Sequence, residues 1–187
     1  NRALWEAARE AQGKYEQRLL RYPLDEALQP WDRAFAQKNG NSQIPPRYRV
    51  AVIGRPYISF DSALSHDLLN LLKRHAVEIV TPESVPNKLI EKESERLSKK
   101  VYWQLGRELV AAALHYMKDG EVDGIITVSA FGCAPDSVML AVVDRAARTS
   151  NVPHLSLVLD EHSGEAGLVT RLEAFVDMLT RRKERMQ

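Results

Sequence analysis

The chain has 187 residues, 44% of them hydrophobic and 27% charged, with a formal net charge of +1. That composition is ordinary for a globular protein, and so balanced a surface sets up no single-sign field to attract nucleic acid or an acidic membrane. No apolar run approaches the ~20 residues needed to span a bilayer, and a single cysteine allows no internal disulfide, which fits a reducing cytoplasm.

The opening Asn1-Arg2-Ala3-Leu4-Trp5 is neither a secretory signal nor an initiator methionine, so the chain is expected to be the C-terminal part of a longer protein. Residues 2–38 read as a charged helical arm. Leu4, Trp5, Ala8, Tyr15 and Leu19 are its apolar stripe, and Pro23 and Pro30 break it. Asn39-Gly40-Asn41-Ser42 and Pro45-Pro46 read as a linker. The expected division is a helical arm and linker over 1–46 and an α/β domain over 47–187.

Alternation begins at Tyr48. A strand over 48–54 leads into a helix over 61–75, with Leu64, Leu68, Leu71 and Leu72 on one face. A second strand runs from Val77 to Thr81 and stops at Pro82. The polar stretch 83–100, with Glu91-Lys92-Glu93 and Lys99-Lys100, reads as a short helix or mobile loop on the surface. The next helix, over 101–118, places Val101, Leu105, Leu109, Ala112 and Tyr116 together and ends at Asp119-Gly120. Ala111-Ala112-Ala113 reads as close helix packing. A third strand over 124–129 precedes a helix over 135–149. A fourth over 154–159 precedes a helix over 166–184, buried through Leu168, Leu172, Phe175 and Leu179. Strands alternating with helices predict an open, mostly parallel sheet of about four strands with helices on both faces. The order 2-1-3-4 places a topological switch between strands one and three.

Chemistry-bearing residues recur just past the strands. Gly54-Arg55-Pro56-Tyr57 follows the first, Phe131 to Ser137 the third and Asp160-Glu161-His162 the fourth. Residues at the carboxyl ends of parallel strands line one crevice. Cys133 stands at or just before a helix start, since Pro135 suits the first turn. The positive helix end favours a thiolate there, as metal ligand or nucleophile. A buried cysteine acting as a small hydrophobe is the competing reading. Gly54 lets a ligand approach the backbone. Arg55 suits a phosphate or carboxylate, or else pairs with a nearby acid. Glu161 and His162 are candidates for proton transfer. In the plainer alternative the 160–165 segment is a loop in which Ser163 or Glu165 caps the next helix.

Several chemistries drop out. No second cysteine makes a redox pair. A phosphate-cradling cysteine loop would need an arginine where Met139 stands. There is no Gly-rich dinucleotide fingerprint and no P-loop lysine. A zinc site would need four ligands.

Gly54-Arg55-Pro56-Tyr57, Trp103 with Gly106, the 131–137 motif and the long run from Asp160 to Phe175 together resemble the acyl-CoA dehydratase activase-related proteins. These are relatives of the 2-hydroxyglutaryl-CoA dehydratase (D-component-like) iron–sulfur subunits, and the resemblance spans about residues 48–180. It implies a Rossmann-like, flavodoxin-like domain of a low-potential redox protein. It also implies a [4Fe-4S] or related cluster in the full-length protein, held by cysteines from more than one subdomain, with Cys133 as one ligand. The implied partners are an ATP-hydrolysing activase of the sugar-kinase/Hsp70/actin type, an upstream domain or second subunit, and an acyl-CoA or other small-molecule substrate. Two departures stand out: Ala134 replaces a glycine usual in the family, and a cluster needs several thiolates where this chain has one. The fragment alone is therefore expected to hold no stable cluster. A non-catalytic binding or scaffold domain of the same family is the alternative.

Overall fold

Four short runs, three rich in β-branched residues and the fourth in leucine, form a single parallel sheet. They are β1 (Tyr48–Gly54), β2 (Val77–Val80), β3 (Gly124–Ala130) and β4 (His154–Leu159), in the order β2-β1-β3-β4. The structure, a computed structural model, describes residues 2–19, 45–97, 101–118 and 120–185. The breaks expected at Pro23 and Pro30, the 39–42 linker signal, Lys99-Lys100 and Asp119 lie outside those residues, as does the side chain of Leu19.

The helices are α1 (Arg2–Leu19), α2 (Pro56–Ser59), α3 (Leu68–Arg74), α4 (Asn87–Glu95), α5 (Gln104–Tyr116), α6 (Ala134–Ser150) and α7 (Glu165–Arg185). The central strands are buried on both faces, as parallel strands covered by crossover helices must be. One face packs Val50, Val52, Ile126 and Val128 against α3 and α7 through Leu68, Leu72, Leu168, Leu172 and Phe175. The other packs Ala51, Ile53 and Ile125 against α4, α5 and α6 through Ile90, Leu109, Met139 and Val143. Each such leucine or isoleucine contributes about 1.5–3 kcal/mol on burial. Ala111, Ala112 and Ala113 are fully buried, where small side chains let α5 lie close to its neighbours.

Three expectations are corrected. The helix predicted over 61–75 is a turn followed by the shorter α3. Asp61 Oδ1 accepts the N–H groups of Ala63 and Leu64, and His66 and Asp67 adopt positive φ, so the helix starts only at Leu68 and Leu64 is left exposed. The segment after β2 is not only surface. Ile90 and Glu93 of α4 are buried, and Glu93 receives Lys118 and Arg96. In α1 the predicted stripe is not a buried one. Leu4 and Trp5 are exposed, while the far end packs near the 3-10 turn Pro82–Ser84 and Asn87 donates to Glu16.

Candidate functional site

Right-handed crossovers put the loops after β1, β3 and β4, and the N-termini of α5 and α6, on one edge of the sheet. There Arg55 follows β1 and is the N-cap residue of the short α2, its backbone kept extended by the following Pro56. Its Nε donates to Asp136 Oδ1 at 2.7 Å. Asp136, in the first turn of α6, is 1% exposed, and the Arg55 side chain 19%. The second carboxylate oxygen, Asp136 Oδ2, is buried without a hydrogen bond. The Asp136 hydrogen bond, outweighing the cost of burial, holds the guanidinium even more firmly protonated than usual. The anionic forms of Cys133 and Tyr57 act in the same direction.

Cys133 is the N-cap residue of α6 and is half-buried. Gly132 before it takes φ +76°, a conformation that side-chain-bearing residues avoid, and this turns the chain from β3 into the helix. The Cys133 carbonyl accepts both the N–H and the Oγ–H of Ser137 at 3.0 Å, and the Cys133 side chain makes no capping bond. Sulfur and guanidinium therefore sit at one sheet edge, on a frame locked by a buried ion pair.

Gly54 stands at closer quarters than an open approach requires. A Cβ there would lie 2.4 Å from Ser59 Oγ and 2.8 Å from the Val128 carbonyl, so its space is taken by α2 and β3. Beyond β4, Asp160 closes its loop on itself. Its Oδ1 accepts the His162 N–H at 3.0 Å and the Ser163 hydroxyl at 2.8 Å, while its N–H donates to Ser163 Oγ. Those bonds, Ser163 first, hold the Asp160 carboxyl below the usual carboxylate range. Among the described residues the Glu161 and His162 side chains pair with each other, at 3.6 Å, are 81% and 84% exposed, and make no hydrogen bond or ion pair with Cys133 at the same sheet edge.

Tyr57 after β1, Tyr102 and Trp103 before α5, and Phe131 after β3 are exposed. Among the described residues no group of three or more His, Cys, Asp or Glu side chains is arranged to hold a metal ion. With one thiolate where a cluster takes several, the described residues do not by themselves form a cluster site.

Asp136 is the residue that sequence reasoning passed over as a site member. The signal was present, an arginine after β1 and an acid in the first turn after β3, but only the 2-1-3-4 order brings them together.

An open parallel sheet with a tethered arginine and an N-capping cysteine at its carboxyl edge defines the class of α/β domain. The sequence profile of the 2-hydroxyglutaryl-CoA dehydratase D-component family matches residues 18–179, and the chain belongs to that family. Its members are generally associated with iron–sulfur clusters and work with an activase partner. No curated protein matches the chain. No helix among the described residues is long and apolar enough to cross a membrane.

Proposed function

We propose that this chain is a domain of an iron–sulfur redox protein of the 2-hydroxyacyl-CoA dehydratase type, and that Cys133 contributes one thiolate to a low-potential cluster. The observation that carries this is the half-buried Cys133 at the α6 N-cap, beside an arginine fixed by a buried carboxylate. Soft thiolate sulfur suits iron. The remaining ligands would come from a domain or subunit outside this chain, which holds no other cysteine. When bound, such a cluster supplies single electrons at low potential. In this reading Gly54 and Arg55 are the cofactor-side residues, Arg55 meeting an anionic group with the nitrogens that Asp136 does not hold. Glu161 and His162 are the proton-transfer groups of this reading. An ATP-hydrolysing activase is the electron donor, an acyl-CoA thioester the substrate class and the cytoplasm the compartment.

The test is anaerobic purification of the longest natural polypeptide that contains this domain, together with its activase. Iron, acid-labile sulfide and a broad brown absorbance are expected, all lost in Cys133→Ala. A cluster unchanged in Cys133→Ala refutes the ligand assignment. The second reading, a scaffold domain without a cluster, draws on the single cysteine and the polar 83–100 segment. Co-purification with the activase and no iron would select it.

A further inference from the structure

The 3-10 turn Pro82–Ser84 follows β2 and so lies at the carboxyl edge of the sheet, the edge that also carries Arg55 and Cys133. Both α1 and α5 pack on that turn. The footprint of α1 is confined to its last turns. Every described side chain from Arg2 to Gln12 is exposed, whereas Tyr15, Glu16 and Arg18 are half-buried. Glu16 accepts a hydrogen bond from Asn87 at 3.5 Å. Burial, and then the charge of Glu83, raise the Tyr15 phenol above its usual range.

The turn meets that footprint with an acid that has no counterion. Glu83 is half-buried, and its Oε2 is buried without a hydrogen bond, as is the hydroxyl of the preceding Thr81. Burial pushes the Glu83 carboxyl above the usual carboxylate range and the Glu108 charge on α5 adds to this, against a weaker pull from its own N–H and from Thr81. Among the described residues no cation acts on it. On α1, Lys14 is paired with Glu10 at 2.6 Å and Arg18 is already engaged. On α5, Tyr116 gives its hydroxyl to the Thr81 carbonyl at 2.8 Å. Arg49 of β1 bears on Tyr116 and pairs with Glu78 at 3.3 Å.

An ionised carboxylate covered in this way gives up water and gains no partner, whereas a protonated one loses much less. The seated and lifted positions of α1 therefore differ in affinity for a proton, and proton binding must shift the balance toward the seated one. We propose that α1 is a proton-gated strap, seated on the Pro82–Ser84 turn when Glu83 carries a proton and lifted as Glu83 ionises, which opens the β2 end of the sheet edge. The sign follows from the raised carboxyl: its support for seating is full below the ordinary 4.5 and is lost as pH rises through the higher value of the seated form.

The test is hydrogen–deuterium exchange of the complete chain at pH 5 and pH 8, with rates corrected for intrinsic exchange and far-UV circular dichroism to confirm folding. Peptides from the last turns of α1 should be about threefold or more better protected at pH 5, while β1 and β3 peptides stay equally protected. Glu83→Gln, which cannot ionise, should show at pH 8 the α1 protection of the wild type at pH 5, to within about twofold. Tyr15→Ala should leave α1 unprotected at both. The proposal is overturned by equal α1 protection at the two pH values, by a Glu83→Gln chain that keeps the wild-type pH dependence, or by a loss that β1 and β3 share.

Discussion

Removing Arg55 probes a contact that ties the end of β1 to the start of α6. Arg55→Ala takes from the Asp136 carboxylate, 1% exposed in the wild type, the one hydrogen bond it makes among the described residues, since Oδ2 already has none. Stranding one partner of a buried pair costs about 3–5 kcal/mol. The lower end applies, because the Arg55 side chain is 19% exposed and water can reach the space it vacates. About 3 kcal/mol lowers the Tm of a chain this size by roughly 6–12 °C. Asp136→Asn keeps an acceptor for the guanidinium and should cost only about 1–2 kcal/mol. The Arg55→Met, Asp136→Leu double variant removes both charges. It should be more stable than the sum of its singles predicts, by about 1–3 kcal/mol. Urea unfolding followed by far-UV circular dichroism reads the wild type, these three variants and the matching singles Arg55→Met and Asp136→Leu. A cost below about 0.5 kcal/mol for Arg55→Ala, the level of an ordinary surface change, refutes the assignment of a buried clamp. So would strict additivity of the two sites.

Gly54→Ala drives a Cβ to 2.4 Å from Ser59 Oγ and 2.8 Å from the Val128 carbonyl, and such overpacking costs about 1–3 kcal/mol in urea unfolding. Ser59→Ala in the same chain should recover part of that loss, whereas an unchanged midpoint in Gly54→Ala would show the space to be open. Burial of His154, between Thr127, Asp144 and Arg148, lowers its pKa below the ordinary 6.5. The unfolded chain then takes up the proton first, so this residue's contribution is full above about pH 6.5 and is lost as pH falls through the lower folded value. Subtracting the pH–stability curve of His154→Asn from that of the wild type should isolate this limb, and parallel curves would contradict it. Glu161→Gln and His162→Ala, both at exposed positions, should shift stability by less than about 0.5 kcal/mol. A larger loss would mean that the 160–165 loop is braced by them.

Much of this fold was legible because the strands announce themselves. Val50 to Ile53 is a continuous apolar run, Ile125 to Val128 and Leu155 to Leu159 are broken by a single hydroxyl residue each, and strands of this kind alternating with helical patterns dictate a parallel sheet. The helix expected from residue 61 misled because Leu64, Leu68 and Leu71 have helical spacing. Periodicity does not register Asp61, whose side chain captures two N–H groups and holds a turn instead. The polar 83–100 stretch hid a buried Glu93. A charged residue is read as surface until its cations are found, and Lys118 lies 25 residues away.

The candidate site divides along the same line. Cys133 was placed correctly at a helix start, because proline and acid at the next positions are local signals. The Arg55–Asp136 bond spans 81 residues, and no local rule could choose Asp136 over the other acids of the chain. The bond gives the edge two mechanical parts. Arg55, Asp136 and the α6 N-cap are fixed by burial and cannot move far without cost. Among the described residues the 160–165 loop is held by the bonds of Asp160 to His162 and Ser163 and lies open to solvent. Substitutions at Arg55 or Asp136 should therefore disturb the frame around Cys133, and substitutions at Glu161 or His162 should leave that frame in place.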